Sequence, residues 1–331
     1  MVSNTALPQV MVCGHAIGVF LHTEGVTVVG HAEVEDFAGR RHNPAEKAGI
    51  QEGDLIVKVN NVEISEARQL KEEVERAGLQ GKEVVLEVRR QKKIFTVKIC
   101  PVYCKETRRY RIGLFIRDNA AGMGTLSFYD PKSKRYGALG HVVTDVNSPV
   151  KADLSGGKIV SALVKEVSPG WKGKPGEKIG VFQKKAEFTG NIETNTPFGI
   201  FGVLRQPPSS FYYPEPMPVA RTDEIALGPA EVLTVLKEGK IERFTVEIER
   251  VCPQIRLEGK GLLLKVTDRE LIRRAGGIVQ GMSGSPIVQN GKFIGVVTHV
   301  FVSDPTRGYG VPAEWMINEA GFFFAENKLA S

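Results

Sequence analysis

The chain has 331 residues, 42% hydrophobic and 25% charged, with a formal charge of +6. That length allows two cores of ordinary globular composition. No run reaches the roughly 18 consecutive apolar residues of a membrane-spanning helix. Met1 to Val10 also lacks the charged and apolar regions of a signal peptide, so the segment that would export the chain is not expected here. The basic clusters Arg89, Arg90, Lys92, Lys93 and Lys105, Arg108, Arg109, Arg111 read as solvated surface. No nucleic-acid module accompanies them, so a nucleic-acid partner is not expected. Cys13, Cys100, Cys104 and Cys252 form neither CxxC pairs nor a disulfide framework, and no metal or cofactor is assigned.

The 36 glycines fall largely between short runs rich in Val and Ile, which favours many strands and tight turns. In chain order, residues 12–102 read as one compact module. Pro44 to Ile50 predicts a short helix ended by glycine, and Gln51-Glu52-Gly53-Asp54 a turn. Leu55 to Val59 predicts a strand, and Asn60-Asn61 a turn with positive φ. Ser65 is the expected N-cap of a helix with Leu70, Val74 and Ala77 inward and Gly78 as its stop. Val84 to Val88 and Ile94 to Ile99 close the module as a hairpin.

The stretch Pro44 to Asn60, P-A-x-x-A-G-I-x-x-G-D-L-I-x-x-V-N, resembles the PDZ modules of bacterial serine proteases. The resemblance implies peptide binding along a sheet edge beside the longer helix. It also implies a carboxylate-binding loop, which is placed at Ala16, Ile17, Gly18 and Val19.

A linker is expected at 103–112 and a second domain at 113–331. Short alternating runs predict strands at Ile112 to Arg117, Gly124 to Tyr129, Ile159 to Glu166 and Phe198 to Leu204. Others are predicted at Arg243 to Arg250, Leu262 to Lys265 and Phe293 to Val302, as in a sandwich or barrel. Pro207, Pro208, Pro214, Pro216 and Pro218 mark a long surface loop, and Glu231 to Glu238 and Asp268 to Ala275 read as helices.

The motif carrying chemistry is Gly281-Met282-Ser283-Gly284-Ser285-Pro286. Glycine neighbours can expose Ser283 Oγ, while the amides of Gly281 and Ser283 converge as an oxyanion hole. A strand, an Asn290-Gly291 turn and a further strand follow the serine; an α/β-hydrolase elbow would lead into a helix. A β-barrel peptidase fits better. The serine needs a base. The candidates are His141, at a glycine-flanked loop-to-strand junction, and His299, in an apolar run, and either could act as the base. The carboxylate that orients the imidazole is either Asp268 or Asp145, and spacing does not choose between them.

These motifs, with Arg111-Ile112-Gly113-Leu114, Gly124 to Pro131, Asn195 to Gly202, Thr298 to Phe301 and Asp304 to Gly310, resemble the stage IV sporulation protein B serine peptidases of endospore-forming bacteria. The resemblance implies a mainly β chain, a PDZ-like α/β module followed by a chymotrypsin-like double β-barrel. It implies Ser283 as nucleophile, His141 as base and Asp268 as the third catalytic residue. It further implies a signalling endopeptidase exported between the forespore and mother-cell membranes. There such enzymes cleave a membrane-bound regulator, releasing an intramembrane protease that activates a late mother-cell sigma factor, and they also cleave themselves. A non-catalytic PDZ scaffold is the competing expectation. The PDZ-before-protease order argues against an HtrA-type enzyme, where the protease comes first.

Overall fold

A computed structural model describes residues 8–91, 93–143, 156–182, 186–252 and 260–322. The chain divides into two compact units. One holds the residues up to Phe20, Ala121–Val143 and everything from Gly157; the other holds Leu21–Ala120. The division therefore runs elsewhere than the expected 12–102, 103–112 and 113–331. The strand Gln9–Val12 explains the first difference, because it pairs with the end of the strand Leu114–Tyr129 (Met11 opposite Tyr129) and with Met217–Pro218. Two 16-residue strands, Ala16–His31 and Leu114–Tyr129, carry the chain from one unit to the other and back.

The Leu21–Ala120 unit follows the expected PDZ-like plan. The strands Leu55–Val59, Val84–Arg90 and Lys93–Ile99 pair in that order. The helix Ala67–Leu79 covers a core of Ile56, Val59, Leu70, Val74, Val84 and Leu86. Asn60 and Asn61 take positive φ, +49° and +66°, as their turn requires. Asp54, almost fully buried, is held by the Arg90 guanidinium at 2.6 and 2.7 Å and by the Gln51 amide. That fixes the Gly53-Asp54 turn by a charge-assisted fork. The helix start differs from expectation. Glu66 is the N-cap, and the Gln69 side chain reaches back to the amides of both Ser65 and Glu66.

In the other unit, six antiparallel strands close a barrel in the order Gly228–Val235, Ile241–Val251, Leu262–Val266, Asp304–Pro312, Lys292–Phe301 and Pro286–Gln289. Val232, Phe244, Val246, Leu264, Ile287 and Val297 fill it. Glu231 to Glu238 is thus barrel strand over most of its length and not the expected helix. Its alternating face meets Ile241–Val251 on one side, and Pro286–Gln289 closes the barrel on the other. The helix Arg269–Ala275 forms as expected. Outside the barrel, Arg135–Ala138 lies between the end of Leu114–Tyr129 and Gly199–Val203. The strand Gly157–Ser168 is flanked by Glu177–Phe182 and Thr189–Ile192. The chain is mainly β, with a PDZ-like module and a β-barrel, as the sequence implies.

Candidate active site

The turn Gly281 to Ser285 is delivered by local structure on both sides. Before it, the helix Arg269–Ala275 ends on Gly276 in a left-handed cap. After it, the barrel strand Pro286–Gln289 begins. Met282 buries its side chain in the barrel core, which turns the neighbouring Ser283 toward the partly exposed face. Burying a side chain of that size contributes about 1.5–3 kcal/mol to holding the turn.

The turn's hydrogen bonds are selective. The amides of Gln280, Met282, Gly284 and Ser285 each donate to a backbone carbonyl, of Gly176, Val279, Val297 and Met282 respectively. The carbonyls of Gly281 and Ser283 accept from Thr125 Oγ1 and the Thr125 amide, both at 2.9 Å. Among the described residues, the amides of Gly281 and Ser283 alone in this turn have no acceptor. Native proteins rarely leave backbone donors unpaired. Two such donors flanking one serine match the demand of an oxyanion hole. The oxyanion residues read from the sequence, Gly281 and Ser283, are the two the fold leaves available.

Ser283 Oγ donates to the Thr298 carbonyl at 2.8 Å. The next residue, His299, stands with its ring centre 5.0 Å from that of His141. The fold therefore brings both candidate histidines to the strand that holds the Ser283 hydroxyl. His141 is reached through Leu139 and Gly140, both left-handed with φ of +71° and +73°. A non-glycine residue there is a local strain of the kind concentrated at functional sites. Asn195 pins the following segment, accepting from the Val143 amide at 2.9 Å and donating to its carbonyl at 2.8 Å. The sequence motif around Asn195 was visible, but its role as a clamp beside His141 was not.

His141 Nδ1 bonds the Val142 carbonyl at 2.8 Å. Because a carbonyl only accepts, Nδ1 carries the proton and Nε2 keeps its lone pair. Burial lowers the His141 pKa below the usual histidine value, partly offset by that bond. Burial also lowers His299, to about 4, helped by the charges of His141 and Lys260. Both rings are neutral at pH 7.

Asp268 stands at the N-cap of the helix Arg269–Ala275. Its carboxylate accepts from the Glu270, Leu271 and Thr245 amides at 2.9, 3.0 and 3.2 Å. Among the described residues, no hydrogen bond joins it to either imidazole. The structure thus places Asp268 as a cap and does not bring it to His141 as a direct partner. Oδ1 is committed to the Glu270 and Leu271 amides, which the helix start leaves without partners, and Oδ2 to the Thr245 amide of the neighbouring barrel strand. Asp145 lies outside the described residues.

The expected carboxylate loop at Ala16 to Val19 is a correction. These residues lie in a buried strand of the peptidase unit, and Gly18 sits under the Phe182 ring. Within the PDZ-like unit, a groove of about 380 Å³ runs between Leu70, Lys71 and Val74 of the helix and the segment Ile112 to Ile116. Gly113, with φ of +77°, lies in that segment. The segment that lines this groove opposite the helix therefore follows the helix in sequence, whereas Ala16 to Val19 precede it. The glycine between apolar residues in Arg111-Ile112-Gly113-Leu114 is the sequence signal for a turn at this place.

The SpoIVB peptidase S55 family matches residues 108–317, more than half of the chain, and a PDZ domain matches residues 38–90. Among solved structures, the active form of the Rv3671c protease from M. tuberculosis aligns with a TM-score of 0.37 and 15% identity. That alignment covers 61% of this chain and 75% of the other. An HtrA-type protease, AlgW with a decapeptide, aligns with a TM-score of 0.36 and 12% identity, over 64% of this chain and 54% of that one.

Proposed function

The chain belongs to the SpoIVB peptidase S55 family and is a serine peptidase; from that premise we propose that Ser283 is its nucleophile and His141 its general base. The amides of Gly281 and Ser283, which have no acceptor among the described residues, carry this reading, because an oxyanion hole needs two free donors beside the nucleophile. Ser283 Oγ attacks the scissile carbonyl carbon, and its proton passes to His141 Nε2. The carbonyl oxygen becomes the oxyanion between the two amides. The proton then moves from Nε2 to the leaving amine nitrogen as the C–N bond breaks, and water hydrolyses the acyl-enzyme by the same route. The Nδ1–H bond to the Val142 carbonyl holds the tautomer that this transfer requires. Asp268 acts at a distance, as a positioning residue. It caps the helix that leads into the Ser283 turn.

The substrate is a protein whose chain end or extended segment docks in the PDZ groove beside Leu70 and Val74. Family membership supports the finer role. The enzyme is a sporulation signalling protease, acting between the forespore and mother-cell membranes. It cleaves a membrane-bound regulator, and also itself, to release an intramembrane protease upstream of a late mother-cell sigma factor.

Treatment of the purified protein with a fluorophosphonate probe tests the chemistry. Wild type is expected to label, and Ser283→Ala and His141→Ala are not. A folded wild type that does not label would turn the reading toward a peptide-binding scaffold.

A further inference from the structure

We propose that the imidazoles of His141 and His299 form a two-nitrogen clamp for a zinc ion, and that zinc bound there inhibits the peptidase reversibly. The inhibition rests on His141 being the general base; the binding does not. The two residues are far apart in the chain and share no ligand spacing, so the site exists only in the folded barrel unit. Their ring centres are 5.0 Å apart and the planes tilted by 42°. Two imidazoles on one tetrahedral zinc, each with a Zn–N bond of about 2.1 Å, place their ring centres about 5 Å apart. The rings therefore already stand at the separation that one ion requires.

The donor chemistry agrees. His141 donates Nδ1–H to the Val142 carbonyl, which is how metal-bound histidines are commonly oriented, and it leaves Nε2 as the donor atom. Among the described residues, the His299 ring makes no hydrogen bond, and part of the residue faces solvent, from which an ion arrives. Imidazole nitrogens favour zinc over magnesium or calcium. The nearby Lys260 charge opposes the cation, and water completes the coordination shell. This makes the clamp a weak, exchangeable site unlike a closed structural one. Once Nε2 holds the ion it cannot accept the Ser283 proton, and acylation stops.

Zinc chloride is titrated into the full chain by calorimetry, with fluorophosphonate labelling followed in parallel. The expected result is one zinc per chain, labelling lost as the site fills and restored by EDTA, and no effect of magnesium chloride. His299→Asn is expected to label without zinc and to need about tenfold more zinc, or more, for the same loss. His141→Gln is expected to weaken the calorimetric binding similarly. No binding at millimolar zinc, or His299→Asn binding zinc as wild type does, overturns the clamp. If no form labels, the catalytic reading fails, and the calorimetric comparison of wild type with His299→Asn still decides the site.

Discussion

Lys178 is the residue least expected in the interior of the peptidase unit. It is buried, with Nζ donating to Thr234 Oγ1 at 2.7 Å. Thr234 Oγ1 also accepts from Ser285 Oγ at 3.0 Å, and Thr125 Oγ1 bonds the Gly281 carbonyl. Ser285, the second serine of the Gly-Met-Ser-Gly-Ser-Pro motif, thus belongs to a buried polar chain beneath the turn. Burial pushes the Lys178 ammonium down to about 7 from its usual 10.5. The unfolded chain takes up this proton near pH 10.5 and the folded one only near 7. The fold therefore gains stability as pH rises from about 7 to about 10.5, and the full penalty remains below 7. Lys178→Met should flatten this dependence and raise stability at pH 7 by an amount on the order of a few kcal/mol. Denaturant unfolding at pH 7 and pH 9.5 measures it. Parallel pH dependence in the two proteins would sink the assignment. Nothing in Glu177-Lys178-Ile179-Gly180 announces a buried amine, because a lysine in an alternating strand ordinarily faces water.

At the scale of elements, the helix Arg269–Ala275 separates two roles for Asp268. Asparagine caps a helix about as well as aspartate, whereas alanine costs about 1 kcal/mol. Asp268→Asn keeps the cap but loses the Thr245 bond, so it should keep fluorophosphonate labelling at a modest cost in stability, and Asp268→Ala should lose more stability. An aspartate acting directly on the base would lose roughly 10⁴-fold in rate as asparagine. Labelling kinetics and thermal melts of the pair distinguish the two. The elements also show where local reading failed. Gly78 looked like a helix stop, but the helix runs on to Leu79, and Gly78 is glycine because the Tyr110 ring lies against it. Glu231 to Glu238 contains good helix formers, yet cross-strand pairing of Glu231 with Thr245 and Val288 decides for strand.

At the scale of the whole molecule, the division into two units predicts separable losses. A Cβ at Gly113 would meet the Ala32 carbonyl at 2.6 Å, and its φ of +77° disfavours a branched side chain. Gly113→Val should abolish binding of C-terminal peptides to the groove while Ser283 still labels. Fluorescence anisotropy with a peptide library, beside probe labelling, reads both; unchanged peptide affinity would remove the groove from the proposed function.

The chain by itself determined what short stretches can carry. The Leu55–Val59 strand, the Asn60-Asn61 turn, the Arg269–Ala275 helix and its Asp268 cap depend on backbone conformation and neighbours a few residues away. Tertiary structure alone decided the pairing of His141 with His299, the burial of Lys178 and the placement of Ala16–Val19 in a strand of the peptidase unit. Each depends on which distant strands pair and on what closes over a side chain, and barrel closure sets those contacts between residues that no local pattern links.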